Sequence, residues 1–235
     1  MNSTRKIAVI TGVLFILATL TGPILATPLT PDLTATDYLT RFSEHTNQAA
    51  GGVLLWIISA FTGAGIAIAM YPVLKQQNAG LALGSVIFRT LEAAFYMLEV
   101  VILLSLLTLG QQFMTAGAAD RTVFQSIGNS LVSVRDHAAL VAVFAFCVGA
   151  FMYYYLLFQS RLIPRWLSGF GIVAIILMNT ACVLALFSGN LITSYIPLAA
   201  PIAVQEIVLG VWLIVRGFNA SAGASLPGPE QAERA

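Results

Sequence analysis

The chain has 235 residues, of which 58% are hydrophobic and 9% charged, with mean hydropathy +0.88 and net charge +1. Soluble domains average about 25% charged residues, so a chain this poor in charge cannot cover a surface facing water. The near-neutral balance gives no basic patch for nucleic acid, and the expected surroundings are a lipid bilayer.

A bilayer core about 30 Å thick takes roughly 20 apolar residues as helix, and about six runs meet that length. They cover residues 7–26, 52–71, 81–109, 138–158, 166–187 and 195–215. Pro23 and Pro28 are expected to end the first, Pro72 and Lys75 the second, and Gly110 the third; Arg161, Pro164 and Arg165 separate the fourth from the fifth. Arg5 and Lys6 ahead of the first run raise the alternative of a signal peptide. Its apolar part exceeds the usual roughly 7–15 residues, and Ile24-Leu25-Ala26 is a poor cleavage site, so a retained helix is favoured.

Between the first two runs, residues 27–50 form the longest connection. Thr34 or Thr36 is expected to cap a short interfacial helix carrying Tyr38, Leu39 and Phe42 on one face. Residues 118–134 repeat Val123, Phe124, Ile127, Leu131 and Val134 at helical spacing, which predicts a second amphipathic piece on the outer surface. The fold expectation is therefore all-α and polytopic. It comprises one six-helix domain over residues 1–217, one or two short surface helices, and a flexible tail over 218–235, where Pro, Gly and small polar residues cannot bury a core.

Arg5, Lys6, Lys75, Arg161, Arg165 and Arg216 fall on one side of six spans. Arg41, Arg121 and Arg135 on the other are diluted by five acids. The Lys/Arg excess predicts an inner-membrane protein with both termini cytoplasmic.

The third run holds the feature most in need of explanation. Ser85, Arg89, Glu92, Tyr96 and Glu99 are spaced by four, three, four and three, so they share one helix face. Charge at mid-bilayer costs at least about 2.5–3.5 kcal/mol per residue and marks functional suspects. With the run centred near Phe95, Arg89 lies about 6 Å inside the boundary and can snorkel, while Glu92 and Glu99 lie about 5 and 6 Å either side of the midplane. Arg89 and Glu92 can pair locally. Glu206 near the centre of the sixth run, Arg135-Asp136-His137 at the mouth of the fourth, and Asn179 on the fifth complete an expected polar centre. Three carboxylates there face one deep cation, so at least one of Glu99 and Glu206 should carry a proton or meet a cationic ligand.

Familiar catalytic patterns are missing. The chain has two histidines and no HExxH, GxGxxG, Walker loop or GxSxG, so no metal, no cofactor and no catalytic residue are expected. Cys147 and Cys182 read as small apolar core residues. Ser59, Thr62 and Ser105 are expected to bond back to their own helices. Met152-Tyr153-Tyr154-Tyr155 reads as an interface belt with core-facing members.

Four stretches carry a family likeness: FRTLEAAFYML (residues 88–98), RDHAALVAVF (135–144), YYYLLFQSRLIPRWLSGFGIV (153–173) and RKIAVITGVLFILATLTGPI (5–24). They resemble the bacterial membrane proteins grouped as domain of unknown function 4386, over nearly the whole chain apart from its tail. The resemblance implies a compact multi-helix inner-membrane protein and draws attention to Arg89, Glu92, Asp136 and His137; it implies no activity. Glu99 and Glu206 fall outside those motifs. The leading functional expectation is binding or movement of a small solute or proton between the third, fourth and sixth helices. Arg89 would compensate charge, Glu92, Tyr96, Glu99 and Glu206 would line the site, and Asp136 with His137 would gate its mouth. A non-catalytic membrane partner whose charges only pack the bundle is the alternative, and an intramembrane enzyme comes third.

Overall fold

The structure is a computed structural model that describes residues 3–219. Six helices are long and apolar enough to cross a membrane, and no strand occurs among the described residues, as an all-α polytopic membrane protein requires. The first span, α1, covers Ser3–Leu29. A short helix α2 (Tyr38–Glu44) precedes α3 (Thr46–Leu74). Then come α4 (Ala79–Thr115), α5 (Ala118–Ser160), α6 (Arg165–Ser188) and α7 (Ile196–Val215).

Short connections force sequential neighbours to pack. Asn78 caps α4 by accepting from the Leu81 amide at 2.9 Å, and only Ala116 and Gly117 separate α4 from α5. Arg161, in the left-handed region, turns the chain from α5 into α6. The spans close a ring, α1 on α3, α3 on α4, and so on round to α7, which packs back on α1. Arg5 fastens that closure by donating to the carbonyls of Leu213 and Ile214 at 3.2 and 2.6 Å, where the end of α7 leaves them unpaired. One core fills the ring, drawing Phe15 from α1, Ile66 and Met70 from α3, Tyr153 from α5, Ile175 from α6 and Leu209 from α7.

Several expected boundaries give way, always because packing outweighs a local breaker. Pro23 does not end α1; the helix runs past it as a wide π turn over Leu20–Ala26, which accommodates a residue without an amide hydrogen. Pro72 lies inside α3. Gly110 lies inside α4 at a close crossing, where a Cβ would stand 2.6 Å from the Leu39 carbonyl oxygen. Residues 118–134 form no separate surface piece. They are the first turns of α5, because nothing between them and the fourth run interrupts helix. Phe124 and Leu131 pack inward, while Val123, Ile127 and Val134 remain exposed. At about 55 and 64 Å, α4 and α5 outrun the hydrocarbon and make a projecting hairpin.

The short helix α2 forms with Tyr38, Leu39 and Phe42 buried, but they pack on α3 and α4 rather than lying at an interface. Asp37 occupies its N-cap position, and Thr34 instead folds back on Asp32. Of the expected tail, Phe218 packs against the core and Asn219 donates to the Arg161 and Leu162 carbonyls, both at 2.8 Å. Residues 220–235 lie outside the described residues.

Candidate functional site

Arg89 does not snorkel. It is 2% exposed and turned into the ring, where Nε and Nη2 donate to the Gly63 carbonyl of α3 at 3.2 and 3.1 Å. Glycine eases that approach, since a Cβ at residue 63 would stand 3.1 Å from Nη2. Nη1 lies 2.6 Å from Glu92 Oε2, an ion pair by distance rather than an aligned hydrogen bond. The guanidinium also covers the Phe146 ring at 4.8 Å. A cation this deep is thus held from three helices.

Glu206, 8% exposed, faces the same interior. Its Oε2 accepts from the Thr19 hydroxyl of α1 at 2.7 Å, immediately before the π turn; Oε1 is buried with no partner among the described residues. Arg89, Glu92 and the Tyr153 hydroxyl, itself unpartnered, lie within electrostatic reach. Counted from the basic end, Arg89 and Glu92 lie about 12 and 16 Å past Leu81, and Glu206 about 14 Å before Val215. All three therefore stand near the middle of a hydrocarbon layer about 30 Å thick.

Glu99 belongs elsewhere. It lies about 10 Å further along α4 than Glu92, beside α5. Its Oε2 is 3.4 Å from Arg135 Nη2, and Arg135 Nη1 is 3.2 Å from Asp136 Oδ1. Oε1 of Glu99 is buried and unpartnered. The single centre expected from the sequence is thus two clusters, each with two carboxylates around one arginine. Tyr96 lies between them, within electrostatic reach of Glu92 and Glu99, its ring 5.6 Å from that of Trp56 on α3.

Other expected members fall away. His137 is exposed, with Nδ1 2.6 Å from the Ser133 carbonyl of its own helix, and does not converge with Glu99 or Glu206. Asn179 is exposed on α6. Ser85, buried on the stripe, only donates to its own helix at Ala82. Thr62 and Ser105 also bond back, but Ser59 donates across to the Ala18 carbonyl of α1 at 2.9 Å. Sequence reasoning missed Thr19, Gly63 and Tyr153. The available signal was a threonine four residues ahead of a proline inside an apolar run. The neighbouring Gln205 is fully committed: Tyr154 donates to its Oε1, and its Nε2 donates to the Leu167 carbonyl at 3.2 Å.

Fold and site together define a polytopic helical membrane protein with charge buried at two depths. The family model described as Domain of unknown function (DUF4386) matches residues 10–217, and the chain belongs to that family. No curated protein and no solved structure matches it.

Proposed function

We propose that this membrane protein binds a proton, or a small cation in its place, at the midplane cluster of Arg89, Glu92 and Glu206, and that small-solute or proton movement is built on that site. The carrying observation is Glu206 Oε1: a buried carboxylate oxygen without a hydrogen-bond partner among the described residues, in a cluster with two acids and one fixed cation. An unmet buried polar atom costs about 1–3 kcal/mol, so such a site favours a state in which a proton or cation fills it. The Lys/Arg excess on the side of the termini supports an orientation with both of them in the cytoplasm. The test is the melting temperature of the purified protein across pH and against sodium, potassium and small organic ammonium ions, repeated for Glu206→Gln and Glu92→Gln. A pH- or cation-dependent rise that Glu206→Gln removes is expected; the same profile in wild type and both variants rejects the site.

A second reading, a non-catalytic partner subunit with charges that only join helices, draws on one observation. Arg89 is so fully held by Gly63, Glu92 and Phe146 that it contributes to packing whether or not a ligand binds. Under that reading the glutamine variants change stability without changing its dependence on pH or cations.

A further inference from the structure

Among the charged groups, burial holds as far as Glu99 and gives way at the projecting hairpin. The side chain of Glu92 is 8% exposed and that of Glu99 5%, but Arg135 is 20% and Asp136 26% exposed. Tyr96, four residues after Glu92 and three before Glu99, stands on the same helix face between them. Beside it the Trp56 indole closes the path from α3, and its Nε1 is buried without a partner. Towards the basic end the picture reverses. Met70, Leu74, Tyr154, Leu157, Leu167 and Leu213 are all fully buried and fill the ring with apolar and aromatic bulk. Among the described residues, carboxyl groups therefore lead from the midplane to solvent in one direction only, towards the hairpin.

From this geometry we infer that Asp136, Glu99 and Tyr96 form a one-sided proton path, which loads the midplane site from the hairpin end. The inference rests on the proposed proton site at Glu206. Hydronium at the mouth gives a proton to the Asp136 carboxylate, which passes one to the Glu99 carboxylate. The Glu99 carboxyl passes one to the Tyr96 oxygen as Tyr96 releases its own hydroxyl proton to Glu92, and Glu92 hands one on to Glu206. Only O–H bonds form and break, each group takes one proton for each it gives, and no oxidant or reductant is needed. Facing Glu99 are Arg135 and Asp136 of α5 and Tyr96 of its own helix, with uncharged Trp56 on α3; on α2, Asp37 and Arg41 pair with each other at the surface. Around Glu206 stand Thr19 of α1, Arg89 and Glu92 of α4, and Tyr153 and Tyr154 of α5.

The experiment follows the infrared carboxylic C=O band removed by Glu206→Gln, in full-length protein oriented in lipid vesicles, as its proton exchanges with solvent after a pH jump imposed on one side. Wild type is expected to exchange rapidly when the jump is on the hairpin side and slowly when it is on the basic side. Tyr96→Phe and Glu99→Gln, near-isosteric changes, are expected to keep the band and slow its exchange on the order of tenfold to a hundredfold. Asp136→Asn gives a third test at a part-exposed position where folding is least at risk. A band that all three variants leave exchanging at the wild-type rate, or that exchanges equally from both sides, overturns the path while the Glu206 site stands. A wild-type protein with no such band, and with no cation bound in the proton's place, overturns the site itself.

Discussion

The two charge clusters have the same stoichiometry and opposite surroundings. Arg89, Glu92 and Glu206 are sealed at the middle of the ring and held by α1, α3, α4 and α5, whereas Arg135, Glu99 and Asp136 link only α4 and α5 and open towards solvent. Depth, rather than residue type, decides what each cluster does. A buried pair that loses one partner leaves an uncompensated charge, at about 3–5 kcal/mol. An exposed pair contributes about 0–1 kcal/mol.

The sharpest way to break that contrast is to remove each arginine. Arg89→Ala is expected to destabilise by about 3–5 kcal/mol, seen as a large fall in melting temperature or loss of folded protein in detergent. Arg135→Ala should cost less, about 1–3 kcal/mol, since the guanidinium is part-exposed but its loss leaves the buried Glu99 without its cation. Equal losses would mean that the clusters do not differ in depth. Next in size, Gly63→Val crowds the carbonyl and guanidinium that meet at α3, with an expected cost of about 1–3 kcal/mol in the same assay. Thr19→Val removes the one donor to Glu206 and should also cost about 1–3 kcal/mol. Most of that loss should vanish in a Glu206→Leu background, where no carboxylate is left unpaired.

The smallest effect lies on the surface helix. The hydrogen bond from Arg41 holds Asp37 below its ordinary 3.8. A depressed carboxyl contributes stability that is present above the unfolded value and lost as pH falls through the folded one. Hydrogen exchange in α2 should therefore be slightly faster in Asp37→Asn than in wild type at neutral pH, and the two should converge as pH falls through the lowered Asp37 value.

Much of the architecture is legible in the residues, because apolar length is a direct consequence of bilayer thickness. The depth of the charges is not. Glu99 looks like part of one centre when the third run is taken by itself; α4 packing against α5 gives it to Arg135 instead. Pro23 and Gly110 mislead for a related reason. As local signals they stop helices, and only tertiary contact reveals one as a π turn beside Thr19 and the other as a crossing point for α2. Arg89 likewise reads as a snorkelling residue until the Gly63 carbonyl comes into view on another helix. His137 shows the opposite failure, a chemically attractive residue that its helix turns outward.

Double-mutant cycles with glutamine replacements test the division into two clusters most directly, since they change charge and leave shape alone. Glu92→Gln with Glu206→Gln should depart from additivity by about 0.5–3 kcal/mol, while Glu92→Gln with Glu99→Gln should add within about 0.5 kcal/mol. Stronger coupling between Glu92 and Glu99 than between Glu92 and Glu206 would contradict the arrangement.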